Sequence, residues 1–255
     1  MNTSQRDAVI KWFEKYSMSF ADSRGYLGLH LKLKYDHSYR VADNALKIAT
    51  ELAWSQKGRI AGYTAGLVHD TGRFPQFRDF GTFYDPYSVD HGERGYQVLV
   101  DRFPVDILDN VTLLILKEST RYHNKRSLAA VAENILPFLK LVRDADKLDI
   151  YEVVRANVEK GRMAELMPGI DIDGGVSEAL VNEINNQGSA SYANVRTLSD
   201  FLFLQISWLY DMNYQPSIDL FRERDTCRWF FAYLRKYDVV QSFLDNLESK
   251  LLLKV

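Results

Sequence analysis

Apolar residues recur three and four positions apart along most of this chain, and that helical period is what most limits the fold it can adopt. Val41, Ala45, Ile48 and Leu52 trace one face of a helix predicted over 37–55, with Asp36 placed as its cap. Ile10, Phe13 and Met18 do the same over 4–20, behind Ser4 as N-cap. A third helix, over roughly 57–70, carries Gly62 and Gly66. Each glycine costs about 1 kcal/mol against alanine inside a helix, so the pair implies a closely packed neighbour. Further helices are expected near 91–102, 105–120 (opened by Pro104), 128–146 and 147–158. No segment combines alternation with the turn chemistry of a substantial sheet, so the expected class is all-α.

Two stretches break the pattern. Residues 71–90 hold Gly72, Pro75, Gly81 and Pro86 among many aromatics, and read as a long functional loop. Its rings would either stack a nucleobase or plug the core. Residues 161–176 read as a linker, which divides the chain into a helical domain over 1–160 and a helical extension over 161–255, expected to pack on it. The single cysteine, Cys227, excludes a disulfide framework and a cysteine-rich zinc site, and its neighbours Trp229 and Phe230 make it a core residue. A net charge of −2 gives no global signal for nucleic acid or an anionic membrane. No apolar run is long enough for a membrane span, and the charged N-terminal stretch lacks a signal-peptide core, so a cytoplasmic protein is expected.

The chemistry gathers in a spaced series: His37, His69-Asp70, His91, His123 and Asp146. Imidazole and carboxylate suit Mn, Fe, Co, Ni or Zn, and helices of a bundle can each project one such ligand inward. His37 stands four residues before Val41, and Asp146 four after Val142, so both extend apolar faces. A buried carboxylate is costly unless it meets a cation or hydrogen bonds. Each residue has a plainer reading as well. His30, between two leucines, stays a core or surface histidine. Asp36, Asp144 and Asp149 read as caps or surface residues, with Asp149 the competitor of Asp146.

The local texts around these positions are YDHSYRVADNA, AGLVHDTGRFPQF, SVDHGERG, RYHNK and RDADKLDIY. In order and spacing, over roughly 25–155, they resemble the HD-domain superfamily of metal-dependent phosphohydrolases. The resemblance implies an HD-domain helical bundle with a C-terminal helical extension outside it. It implies that His37, His69, Asp70 and Asp146 bind a first metal, and that Asp70 is shared with a second held by His91 and His123. The cofactors would be two divalent ions, of Mn, Fe, Co, Ni, Zn or Mg.

Two such ions, about 3.5–4 Å apart, activate a water and clamp a phosphoryl group. The implied function is a phosphomonoesterase or phosphodiesterase acting on a nucleotide or other small phosphate ester, with Asp70 at the chemical centre. Arg73, three residues beyond the His-Asp pair, is placed to act with it as a phosphate contact. Lys147 and Arg121 are further phosphate candidates; for both, a solvated surface charge is the plain alternative. The same ligand set would also serve a di-iron oxygenase, and a nucleotide-sensing protein without catalysis is a third reading. The expected partner is a small, nucleotide-like phosphorylated substrate, with no membrane partner; a homo-oligomer is left open.

Overall fold

The structure, a computed structural model, describes residues 1–167 and 169–252. Their regular structure is helical, and the one bridge between extended backbones pairs Asp171 with Thr197. No helix among the described residues is long and apolar enough to cross a membrane. The chain divides into two compact units, Met1–Asp149 and Ile150–Val255. The sequence reading put the boundary at 160; the contacts change over earlier, inside a helix.

The first unit holds α1 (Thr3–Met18), α2 (Leu29–Glu51), α3 (Gln56–Val68), α4 (Arg73–Phe80), α5 (His91–Arg102), α6 (Asn110–Tyr122) and the first part of α7 (Leu136–Glu159). The helical spacing read from α2 is realised as burial, with His37, Val41, Ala45 and Ile48 all facing inward. The two glycines of α3 have the close neighbours their cost implied. A Cβ on Gly66 would stand 3.1 Å from the Ala42 Cα of α2, and one on Gly62 would strike the Leu141 side chain of α7. Two apolar clusters fix the bundle. One joins Val9, Val68, Leu99, Leu116, Leu139 and Val142; the other joins Phe13, Tyr16, Leu31, Leu67, Phe74 and Val98.

Several boundaries differ from the sequence reading, each for a local reason. Asn2, not Ser4, caps α1, because it completes a capping box with Gln5. Helix α2 starts at Leu29, so Asp36 lies inside it, paired with Lys32 one turn earlier. Residues 71–90 are not one loop, since α4 occupies 73–80. Pro75 lies in its first turn, where a proline N–H is not missed, and Gly81 ends it in the left-handed region at φ 68°. Helix α6 begins after Asp109, which accepts from Thr112 N, and not at Pro104. The helices expected over 128–146 and 147–158 are the single α7. Asp144 and Asp149, read as cap or surface residues, are buried.

The second unit contains the end of α7, then α8 (Met163–Leu166), α9 (Glu178–Gln187), α10 (Leu198–Ser207), α11 (Gln215–Glu223), α12 (Asp225–Leu234) and α13 (Gln241–Leu252). Every residue of α10 is buried, which makes it the central helix of this unit. Tyr151 packs its ring against Phe221 and Phe230, and its hydroxyl donates to the Gln205 carbonyl at 2.9 Å. Cys227 is buried, and desolvation pushes its thiol up to about 11, so it stays an unreactive core residue at neutral pH.

Candidate metal centre

Five elements of the first unit converge on one point. His37 comes from the middle of α2 and Asp146 from α7; His69 ends α3, with Asp70 next in the chain. His91 is the first residue of α5, and His123 ends α6. Backbone proximity makes this convergence possible. A Cβ on Gly72 would stand 2.1 Å from the His91 carbonyl oxygen, and one on Gly95 2.7 Å from the Thr120 side chain. Glycine at these places lets α5 slide in beside the His-Asp pair. Tyr16 of α1 holds the turn from below, its hydroxyl donating to the Thr71 carbonyl at 2.8 Å.

Asp70 stands at the centre and is almost fully buried. Its two oxygens face different imidazoles. Oδ2 lies 3.6 Å from His37 Nε2 and 3.8 Å from His69 Nε2, while Asp146 Oδ1 lies 3.1 Å and 3.6 Å from the same two nitrogens. Oδ1 lies 3.6 Å from both His91 Nε2 and His123 Nε2. Three overlapping groups thus have their ligand atoms within 4.8 Å of one another: His37-His69-Asp70, His69-His123-Asp146 and Asp70-His91-His123.

The far side of each ring decides the chemistry. His37 Nδ1 lies 2.6 Å from Asp149 Oδ2, and His91 Nδ1 2.6 Å from Asp85 Oδ2. His69 Nδ1 lies 2.7 Å from the Gly66 carbonyl, and His123 Nδ1 2.7 Å from the Thr120 carbonyl. All four acceptors are carboxylate or carbonyl oxygens, so each Nδ1 carries the proton and donates it. In a neutral ring this leaves an Nε2 lone pair, and the four lone pairs converge. His37 Nε2 and His69 Nε2 are buried without a hydrogen-bond partner. His91 Nε2 and His123 Nε2 face each other at 3.0 Å, a repulsive contact between two lone pairs. A cation resolves both problems, and rings oriented by carboxylates or carbonyls behind them are the usual support of metal-bound histidine. The donor set fits divalent metal ions.

The electrostatics agree. Burial alone would raise the Asp70 pKa, but Lys34, His69 and Arg73 outweigh it and hold the carboxyl well below its usual range. At Asp146 burial is likewise outweighed, here by the His37 and His69 imidazoles beside it, and its carboxyl too is held well below its usual range. Burial and Lys34 push His37 down, yet Asp146 and Asp149 overcome them and leave its pKa raised, so the pocket favours positive charge at that nitrogen. Burial, assisted by Arg73, pushes His91 down to about 4, which keeps it a neutral donor at physiological pH.

The sequence reading missed Lys34 and Asp85 at this site, and it named Asp149 only as a cap or surface residue competing with Asp146. Lys34 donates to Asp70 Oδ2 at 2.8 Å; it stands one helical turn before His37, a spacing that could have revealed it. Asp149 backs His37 and is gripped by Arg40 at 2.6 Å; it stands three residues past Asp146 on α7. Asp85 backs His91, and no local pattern marks it. Arg73 lies 3.5 Å from Asp70 Oδ1, and its Nη1 donates to Asp85 at 2.9 Å and Gln76 at 2.9 Å. Arg121 pairs with Glu93 and lies over the Tyr96 and Tyr122 rings, and Lys125 pairs with Asp90. Lys147 is half-buried beside Asp146. His30 is exposed and stacks on Phe77. Of the aromatics over 74–87, Phe74 is fully buried against Phe13, Tyr16 and Phe20, whereas Tyr87 is exposed.

These features define a class, a helical protein with a buried histidine–aspartate cluster whose donor set could hold divalent metal. Residues 35–151, which contain all six candidate ligands, match the family described as HD domain. That segment of the chain is an HD domain. No curated protein and no solved structure matches it.

Proposed function

We propose that this protein is a divalent-metal-dependent phosphohydrolase, acting as a phosphomonoesterase or phosphodiesterase on a nucleotide-like or other small phosphate ester. The observation that carries the reading is the convergence of four imidazole Nε2 atoms and Asp146 around the two oxygens of Asp70, within an HD domain. In this reading His37, His69, Asp70 and Asp146 hold one ion, and Asp70, His91 and His123 a second. When bound, such ions make water nucleophilic at neutral pH and neutralise charge on a phosphoryl group.

The chain's own side chains supply the rest. The Nδ1 partners fix the tautomer and direction of each ring, so the donor set is organised before anything binds. Lys34 and Arg73 set two cations against Asp70, each within 6 Å of the Phe83 ring centroid (5.5 Å and 5.9 Å). Positive charge at the border of a partly buried centre suits an anionic phosphoryl group. Arg73 would serve it while held by Asp85; Lys147 is kept as a phosphate contact by its position beside Asp146.

A phosphatase and phosphodiesterase panel run with Mn, Co, Ni, Mg and Fe(II) tests the reading. Asp70→Ala is expected to abolish turnover and metal binding while the far-UV circular dichroism stays helical. Full activity in that variant, or turnover that consumes oxygen, would refute the proposal; oxygen consumption would point to the di-iron alternative.

A further inference from the structure

The four imidazoles are not supported alike. The groups behind three of them sit in α-helices: Gly66 in α3, Thr120 in α6 and Asp149 in α7. His91 is instead backed by Asp85, which lies in a short 3-10 turn between α4 and α5. That turn has no buried residue, and Tyr87 within it is 81% exposed. Polar contacts therefore hold most of the segment over 82–90, and the half-buried Phe83 ring, packed against Phe77, is its main apolar anchor.

Those contacts meet at Asp85. Its Oδ1 accepts from Arg73 Nη1 at 2.9 Å and Gln76 Nε2 at 2.8 Å, both from α4. Its Oδ2 accepts from His91 Nδ1 at 2.6 Å and lies 3.5 Å from the Asn124 amide nitrogen. The amide nitrogen of the fully buried Gln76 also lies 2.8 Å from Ser88 Oγ and 3.0 Å from the Val89 carbonyl, so its two N–H groups are shared among three acceptors of the segment. Residue 83 places its ring over Lys34 and Arg73, so the same segment borders the centre.

We propose that Asp85 is a positioning residue that latches the segment over 82–90 to the His91–His123 half of the centre, so that cation binding there and the order of the segment rise together. The inference rests on the metal-centre part of the reading above and not on the reaction. If the ordered segment holds His91 in its ligating pose, then a cation on His91 must stabilise the segment by the same free energy. A segment held mainly by polar contacts opens easily, so the coupling has something to act on.

The test titrates Mn(II) into the full chain and its Asp85→Asn variant by competition with a chromophoric chelator, alongside hydrogen–deuterium exchange. The wild type should show two classes of site, and Asp85→Asn should weaken one class by about 10–100-fold while the other changes less than about 2-fold. Exchange over 82–90 should slow in the wild type as the weaker class fills, and should not slow in the variant. Ser88→Ala, which loosens the segment without touching His91, should speed its exchange and weaken the same class by a smaller factor. Circular dichroism of the metal-free variants checks the fold. A wild type with one class of site, equal weakening of both classes, or exchange over 82–90 that ignores the second ion would overturn the proposal. Two bound ions without phosphatase or phosphodiesterase activity would instead refute the hydrolase reading and leave the coupling intact.

Discussion

Replacing Gly72 by alanine probes the packing that assembles the centre. Gly72 caps α4 at φ −66°, ψ −23°, a conformation any residue adopts, so alanine meets no backbone strain there. The whole cost is steric. The new Cβ would stand 2.1 Å from the His91 carbonyl oxygen and 2.5 Å from Gly95 N, both backbone atoms that cannot rotate away. Restoring ordinary contact at about 3.5 Å requires the His91 carbonyl at the start of α5 to withdraw by roughly 1.4 Å. Overpacking of this kind costs about 1–3 kcal/mol. At about 2–4 °C per kcal/mol for a unit of this size, melting should fall by roughly 2–12 °C. The same movement carries His91 away from Asp70, whose Oδ1 lies 3.6 Å from its Nε2. Metal–ligand distances tolerate only about 0.2 Å, so the His91–His123 half should lose its ion while the His37–His69 half keeps its own. Calorimetry of the chelated protein and Mn(II) titration read the two effects separately. A variant that melts within about 1 °C of the wild type and binds as many ions would refute the argument.

Other perturbations address the remaining supports. Asp149→Ala removes the acceptor behind His37 and the partner of Arg40, and should weaken the His37–His69–Asp146 half by about 10–100-fold in Mn(II) affinity; unchanged affinity would show that Asp149 supports only the fold. Chelation should lower the melting temperature, since an ion at 100 times its Kd stabilises the folded chain by about 2.7 kcal/mol; equal melting with and without chelator would count against the centre. Burial, then Arg73, takes the His91 pKa from 6.5 down to about 4, so between these values the unfolded chain binds a proton that the folded chain excludes. That stabilisation is complete above the unfolded value and is lost as pH falls toward the folded one. The chelated wild type should therefore lose melting temperature more steeply than His91→Gln between about pH 7 and pH 5. Parallel slopes would refute the burial of a neutral His91.

The candidate site was more legible than the support around it, and the reason is geometric. His37 shares the buried face of α2 with Val41, Ala45 and Ile48, so a helical wheel places it. Lys34 and Asp149 stand three residues from a candidate ligand on the same helix and were within reach of that logic. Asp85 was not. Its bond to His91 depends on the path of a turn whose residues have no period, and on donors from α4. The short α4 was hidden because Pro75 and Gly81 look like loop residues until one knows that the first lies in the opening turn and the second is the terminator.

By itself, the sequence determined the helical class, the buried faces and the order of six candidate ligands, because apolar periodicity and residue type are local properties. Only the tertiary structure decided that Asp70 turns one oxygen to each pair of imidazoles, that all four rings donate Nδ1–H outward, and that Arg73 is tied to Asp85. Those are relations between helices. They depend on how closely two backbones approach, and at Gly72 and Gly95 that approach is set by the absence of a single carbon atom.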